Sequence, residues 1–298
     1  MSTAKKPVNY LNNKDILKEI HLSKNTYCYY TKPDYHQYDI IIDMPQEDLE
    51  KSLKYCTKRD VVKQAKENRA TRLSNETGTK IEAKSIPTTD LVFRVMTWEH
   101  IPVSPKQPRK TIKKKTAIDI MEFDDIEEEI FIDLEDPTTQ SEVDDMVHTK
   151  VNFPPFQHYK IDEEGSFNCV GKSHWTGGIK RGHFTKDHGN ITNKLAKMYI
   201  MLCEKYAMIY NWRGYTYNDE MRSSAILQLT YVGLRFNEAK SQNPFAYYTA
   251  AITNSFCRVL NTEKRNQNIR DDILEINGLN PSYSRMNQGL NKTWLEEG

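Results

Sequence analysis

Side chains suited to nucleic-acid contact recur at helical spacing in the stretch 243–265. Arg and Lys commonly bind phosphates, Asn pairs with base edges, and Tyr stacks on unpaired bases. In this stretch those types are Tyr247, Asn254, Arg258, Asn261, Lys264 and Arg265. They favour nucleic-acid binding, while the simpler alternative is the solvated face of an ordinary amphipathic helix.

A single helix has to hold these side chains. Steps of three and four residues give it an apolar stripe, made of Phe245, Tyr248, Ile252, Phe256 and Val259. Asn243 is a favoured N-cap, and Pro244 suits the first helical position because no hydrogen bond is lost there. The pattern therefore predicts a helix that begins at Pro244 and has one apolar and one polar side.

Two further helices are predicted before it. The first runs to about Trp212 and is expected to be closed by Gly214 in a left-handed conformation. Its stripe comprises Leu195, Met198, Tyr199, Leu202, Tyr206 and Ile209. The second is expected to be capped by Asn218. Its stripe comprises Met221, Ala225, Leu229, Val232 and Phe236.

The run from Met221 to Arg265 resembles region 2 of bacterial sigma factors. In that region a helix ends in a Phe-Asp/Asn-acidic turn, and a Lys-containing loop leads into an aromatic helix that opens promoter DNA. The chain is most similar to the late-transcription sigma factors of large tailed (myovirus-type) bacteriophages. The residues that carry this similarity are FNEAKSQNPFAYYT at 236–249, EKR at 263–265 and YLNNKDIL at 10–17.

The resemblance implies roles for individual residues. It places Tyr247 and Tyr248 at positions that melt promoter DNA, and Ser255 and Arg258 at contacts with the duplex. It implies that the preceding helix docks on the coiled coil of the largest polymerase subunit. The matching positions on that helix are Glu220, Gln228 and Arg235.

One departure from the family concerns promoter opening. The Trp pair of the primary members is replaced by Ala251-Ile252, so the resemblance implies that opening needs help. In the phage late factors a sliding clamp on DNA gives that help. The residues similar to its ligand are Leu290, Trp294, Leu295 and Glu296, with Glu297 beside them.

The leading hypothesis is therefore a phage late sigma factor that acts in the cytoplasm of the infected bacterial host. It would be a non-enzymatic subunit, without cofactor, that binds host core RNA polymerase and recognises and opens the -10-type element of late promoters. Its activity at late promoters would be activated by a sliding clamp. The alternative is a regulatory or interaction protein that binds polymerase without reading DNA, and a metal-dependent nuclease is a third hypothesis.

Charge and cysteine content agree with an intracellular protein. The formal net charge is only +1, so nucleic-acid affinity has to come from a local patch. Between Lys172 and Arg222, nine Lys and Arg residues stand against four acids. Five cysteines without CxxC spacing favour reduced thiols. No apolar run approaches membrane-spanning length, and no signal peptide is apparent.

The predicted fold is mainly α, with an N-terminal α+β insertion and an acidic linker. Strands are expected within 27–44 and 91–98, and helices within 13–22 and 47–70. Thirteen acids and no Lys or Arg lie between Asp119 and Asp145. The predicted segments are an arm (1–24), an α+β insertion (25–103), a basic and acidic linker (104–168), a sigma region 2-like helical domain (169–280) and a clamp-binding tail (281–298).

Two groups of residues could bind a metal. Cys169, His174, His183 and His188 supply thiolate and imidazole ligands, but their spacing matches no standard zinc finger. Satisfied or solvent-facing histidines are the simpler interpretation, and no metal site is predicted. The acidic group Asp271, Asp272 and Glu275 is interpreted as the charged first turn of a separate helix from Ile269 to Asn277 that ends at Gly278.

Overall fold

The computed structural model describes residues 12–43, 51, 53, 58–105 and 146–287. The chain divides into two compact units, one formed by Met1–Thr97 with Val151–Gly298 and the other by Trp98–Lys150. All residues of the candidate functional site lie in the larger unit. In the described part of the smaller unit, the strand β4 (Val103–Pro105) pairs with β5 (Met146–His148) in antiparallel fashion.

A five-stranded mixed sheet is the centre of the larger unit. Numbering all strands in chain order, its members are β1 (Cys28–Tyr30), β2 (Ile40–Asp43), β3 (Val92–Met96), β6 (Phe156–Ile161) and β7 (Phe167–Ser173). They lie in the order β1-β7-β6-β3-β2, with only β2 and β3 parallel. A short hairpin of β8 (Trp175–Thr176) and β9 (His183–Phe184) follows β7.

The larger unit also contains five α-helices of 13 residues or more among its described elements. They are α1 (Asn13–Asn25), α2 (Arg59–Thr77), α3 (Asn193–Ala207), α4 (Asn218–Val232) and α5 (Pro244–Ile276). The helix α2 belongs to the crossover between the parallel strands β2 and β3, a connection that usually contains a helix.

Helices cover both faces of the sheet. All five residues of β3 are buried, and side chains of a strand alternate between its two faces. Phe93 and Val95 pack in one apolar cluster with Ala65 and Ala70 of α2. Met96 belongs to a second cluster, which joins the other face to α1, α3, α4 and α5. Both faces of β3 are therefore buried.

The fold-class prediction of a mainly α chain with an α+β insertion is wrong. Helix accounts for 51% and strand for 15% of the described structure, and the strands form one mixed sheet. The strands β6 and β7 lie across the predicted linker (104–168) and the start of the predicted helical domain (169–280), yet they pair with β3 and β1. The fold is α+β, with the sheet between α2 and the other helices.

Helix boundaries agree only in part with the sequence predictions. The stripe of α4 is buried at all five predicted positions, and α5 begins at Pro244 as predicted. The predicted cap at Gly214 is wrong, because α3 already ends at Ala207 and Gly214 does not have a positive φ. The separate helix from Ile269 to Asn277 is also wrong, since α5 continues without a break to Ile276.

Candidate nucleic-acid interface

The helix α5 is fixed at its first turn and along its apolar side. The Asn243 side chain accepts a hydrogen bond from the Ala246 N–H at 3.3 Å, which confirms the predicted cap. Tyr248, Ile252, Phe256 and Val259 are buried, whereas Phe245 is 42% exposed. With its apolar side packed against the neighbouring helices, α5 turns its polar side outward.

That polar side carries four exposed side chains, which we call the polar row. Its members are Asn254, Asn261, Lys264 and Arg265. The eleven steps from Asn254 to Arg265 span about 16 Å along a helix, close to the rise of five base pairs. Lys264 and Arg265 form no ion pair with any residue that the structure describes, so their charges face solvent.

Arg258 lies beside the polar row but is only partly exposed. Its Nη2 donates a hydrogen bond to the Ser224 Oγ of α4 at 3.0 Å. The Ser224 Oγ is also 3.1 Å from the Ser255 Oγ. These contacts hold the Arg258 guanidinium at the junction of α4 and α5, where it keeps one edge toward the surface.

Two residues assigned to DNA contact by resemblance are inside the protein. Tyr248 is fully buried, and its hydroxyl donates to the Gly233 carbonyl at 2.9 Å and lies 3.2 Å from the Tyr199 hydroxyl. Ser255 is buried as well. The roles expected for both residues do not fit these positions, because a side chain enclosed by α3 and α4 cannot stack on a base or reach a phosphate.

Tyr247 is half-buried at the same junction. Its hydroxyl donates to the Val232 carbonyl at 3.0 Å, and its ring lies 5.7 Å from that of Phe236. The two tyrosines therefore tie the start of α5 to the end of α4.

The residues predicted to dock on polymerase are divided between surface and core. Glu220 is exposed and Arg235 is half-buried, but Gln228 is only 7% exposed and faces inward, against the prediction. Gln228 is adjacent to the buried stripe at Leu229. The outward side of α4 instead presents Leu227, 50% exposed, and Tyr231, 55% exposed.

A buried charge cluster formed by Lys24, Arg94 and Glu238 holds the loop between α4 and α5. The Lys24 Nζ donates to the Phe236 carbonyl at 2.6 Å and to the Glu238 Oε2 at 2.9 Å. The nearest guanidinium nitrogen of Arg94 is 3.8 Å from the same oxygen. Burial alone would raise the pKa of Glu238, but the two cations lower it further than burial raises it, so this carboxylate stays charged.

Arg94 links that loop to the sheet. Its guanidinium lies between the rings of Tyr38 and Phe156, at 4.0 Å and 3.8 Å from their centroids. Its Nε donates to the His158 Nε2 at 2.9 Å. Because an arginine can only donate, His158 accepts at Nε2 and donates from Nδ1 to the Tyr35 carbonyl, 2.7 Å away. Burial and the nearby Arg94 keep the pKa of His158 well below its usual value.

This cluster is not among the features predicted from the sequence. One signal was available, since Arg94 is a lone cation within the apolar run LVFRVMTW, and a buried arginine requires a partner. Its partner Glu238 could not be named from sequence because the cluster joins distant parts of the chain, and Lys24 and Glu238 alone are 214 positions apart.

An aromatic loop at 208–217 borders α5. The ring of Trp212 packs against that of Phe256 at 5.3 Å, which places the loop on the helix. Asn218 closes the loop by donating to the carbonyls of Ala207 and Trp212, a different role from the predicted cap. Tyr210 is 81% exposed, so the loop presents an aromatic ring to solvent.

Cys169 and the acidic group at 271–275 contact other protein groups. No group of three or more His, Cys, Asp or Glu side chains among the described residues could hold a metal ion. The Cys169 thiol contacts the Gln157 side chain. Asp271 accepts two hydrogen bonds from Ser282, while Asp272 and Glu275 pair with Arg285. These acids fix the chain that folds back after α5.

The predicted sliding-clamp ligand lies outside the described residues. It comprises Leu290, Trp294, Leu295 and Glu296.

In the described part of the chain, no helix combines the length and the apolar composition that crossing a bilayer requires. Comparison of the chain with protein-family models, with curated proteins and with solved structures gives no match.

Proposed function

We propose that this chain is a phage late sigma factor, a subunit that directs host core RNA polymerase to late promoters and takes part in opening their -10-type element. The proposal includes activation by a sliding clamp. It involves neither a catalytic step nor a cofactor. The sequence similarity at 236–249 and 263–265 is its starting point.

The observation that carries the proposal is the polar row of α5. Two asparagines and two cations that pair with no described residue face outward along about 16 Å. Amide and cationic side chains are the groups that contact bases and phosphates. The bonds of Tyr247 and Tyr248 to the end of α4 and the charge cluster at the intervening loop hold this helix from one end. A fixed helix suits a protein that has to keep register on DNA.

Burial changes which aromatic residues can hold unpaired bases. Tyr248 is enclosed, so we assign it to the packing of α5. Phe245 in the first turn of α5 and Tyr210 in the aromatic loop are two exposed aromatic rings. Stacking on an aromatic side chain contributes about 1 to 3 kcal/mol per base. We therefore place base stacking at Tyr210 and Phe245.

The outward side of α4 is the proposed polymerase-binding face. Leu227 and Tyr231 are one helical turn apart and both exposed, with Glu220 on the same side two turns earlier. A small apolar patch with polar residues at its edge is typical of a protein interface. Arg235 follows α4 and adds a cation at the end of this face.

A second candidate function is a polymerase-binding regulator that does not read DNA. The burial of Tyr248 and the engaged hydroxyl of Tyr247 favour it, because the aromatics that resemble melting residues face the core. This function requires the α4 face but not the polar row. The two candidates therefore differ in what the polar row does.

The first test is co-purification of the full chain with bacterial core RNA polymerase at moderate salt. Both candidates predict association, and the variant Leu227→Ala, Tyr231→Ala should weaken it. Absence of association would overturn both of them.

The second test uses that complex on promoter DNA. We expect the variant Lys264→Ala, Arg265→Ala to keep polymerase association but to lose promoter binding and permanganate-detected opening. The matched control is Lys80→Ala, Lys84→Ala, which removes the same charge from exposed positions in the loop after α2. Opening that is unchanged by the α5 variant would favour the regulator.

A further inference from the structure

The hairpin β8–β9 has a fixed shape. The Gly182 N–H donates to the Gly178 carbonyl at 3.0 Å, and the Trp175 indole N–H donates to the same oxygen at 2.7 Å. Gly178 has a φ of 120°, a conformation that side chains with a Cβ rarely adopt. These contacts close the turn between the strands and present its tip, Lys180 and Arg181, to solvent.

The charge of this hairpin has one sign. No acidic residue occurs between Glu164 and Asp187, while the same stretch contains the four cations Lys172, Lys180, Arg181 and Lys186. The turn with Glu164 lies at the opposite end of β7 from the hairpin. The hairpin is therefore a local basic patch on a chain whose formal net charge is only +1.

These cations are not used inside the protein. Lys180, Arg181 and Lys186 are exposed and form no ion pair with any residue in the described ranges. Lys172 differs from these three cations because its Nζ lies over the Trp175 ring, 4.8 Å from the ring centroid. A rigid turn that displays unpaired cations is suited to an anionic partner.

We propose that the β8–β9 hairpin binds the sugar-phosphate backbone of duplex DNA, independently of sequence, through Lys180 and Arg181 at its tip and Lys186 at its base. The inference rests on the proposed function in taking DNA as the partner. It adds a second contact, outside α5. No residue of α5 takes part in it.

The side chains at the hairpin favour backbone phosphates over other anionic partners. Trp175 is covered by Lys172 and its indole N–H is occupied, so it is not a platform for stacking on single strands. Ile179 is only partly exposed, so the tip lacks the apolar anchor that a protein interface needs. Contacts of Arg and Lys with backbone phosphates carry no base preference.

The test measures binding of the full-length chain, without polymerase, to duplex DNA of unrelated sequences by fluorescence anisotropy at several salt concentrations. Each phosphate contact contributes about 0.9 to the slope of log affinity against log salt. Lys180→Ala, Arg181→Ala should therefore lower the slope by about 1.8. Between about 50 and 200 mM salt, the unchanged chain should lose about 12-fold more affinity than this variant.

The matched control is again Lys80→Ala, Lys84→Ala, which should leave the slope unchanged. Thermal unfolding of each variant verifies that the fold is retained, and Lys180→Arg should keep the slope of the unchanged chain. Equal slopes for the hairpin variant and the unchanged chain would overturn the inference, as would a chain that does not bind duplex DNA at the lowest salt.

Poly-glutamate serves as a second probe. If the hairpin variant loses binding to this acidic polypeptide but not to DNA, the hairpin binds acidic protein and the inference is wrong. Failure of the proposed function has a different signature. A chain that does not associate with polymerase but shows the reduced slope in the hairpin variant would retain the DNA contact and lose only its assignment as a sigma factor.

Discussion

The position of the loop between α4 and α5 depends on the carboxylate of Glu238. It faces two buried cations, Lys24 and Arg94, and no other carboxylate among the described residues pairs with either. Removing the charge of one member of a buried ion pair typically costs about 3 to 5 kcal/mol, because the other member stays buried without compensation. Glu238→Gln should lower the free energy of unfolding by an amount in this range, measured by urea denaturation.

The control for this change is Glu275→Gln. Glu275 pairs with Arg285 at 3.0 Å, but the two side chains are 43% and 34% exposed. Exposed pairs contribute about 0 to 1 kcal/mol, so this variant should unfold almost like the unchanged chain. Similar losses for the two variants would mean that the charge cluster does not carry the stability attributed to it.

His158 should make stability depend on pH. Burial, and then Arg94, lower its folded-state pKa well below 6.5, so only the unfolded chain takes up a proton just below that pH. Stability should therefore fall as the pH drops from about 7 to about 5, by at most about 1.4 kcal/mol per pH unit for this group. The pKa of His21 is lowered for the same reasons and adds to the slope. Denaturant titrations that give constant stability across this window would contradict the assignment of neutral, buried imidazoles.

At the scale of elements, the junction of α4 and α5 is held by aromatic residues of α3 and α5. Tyr248 fills a fully buried site next to Tyr199, with ring centroids 5.1 Å apart. Tyr248→Ala should cost about 3 to 5 kcal/mol, as large aromatic-to-alanine changes in cores do. Tyr248→Phe keeps the ring and loses the bond to Gly233, so it should cost about 1 kcal/mol. Thermal unfolding of the two variants and of the unchanged chain measures these two losses of stability.

Phe245→Ala serves as the comparison on the same helix. This ring is 42% exposed, and its removal should cost much less stability than Tyr248→Ala. A promoter-opening defect in Tyr248→Ala would therefore report misfolding, whereas a defect in Phe245→Ala would report a lost DNA contact. Equal destabilisation by both changes would contradict the burial on which this distinction depends.

Periodicity predicted the helices well where one side is apolar throughout. The stripe of α4 and the start of α5 are correct because Met221, Leu229 and Asn243 act through local spacing and capping. The same periodicity also assigned Tyr248 to the apolar side, and its burial agrees with that assignment rather than with the role taken from the sigma-factor resemblance.

The strands were predicted less well, for an identifiable reason. The sequence of β6, FQHYKI, contains Gln157 and His158, which read as surface or linker residues, yet both are buried. His158 is accommodated only because Arg94 and the Tyr35 carbonyl satisfy its ring nitrogens. Partners this distant in sequence cannot be inferred from a local pattern, so the central strand of the sheet was missed.

At the scale of the whole molecule, the sheet and the helices of the larger unit share one core. The cluster that buries Leu229 and Phe256 also contains Ile20 of α1 and Phe156 of β6. The predicted helical domain at 169–280 includes neither α1 nor β6. A fragment restricted to it would expose the apolar surface that these two elements cover.

We therefore expect residues 169–298 expressed alone to lack a cooperative unfolding transition, in contrast to the full chain. The same coupling can be measured in the intact protein with Phe156→Ala, which removes a fully buried ring against which Arg94 packs. Because the core is shared, hydrogen exchange should accelerate in α4 as well as in β3. Exchange that accelerates in β3 while α4 keeps its protection, or a fragment that melts cooperatively, would show that the helices fold independently of the sheet.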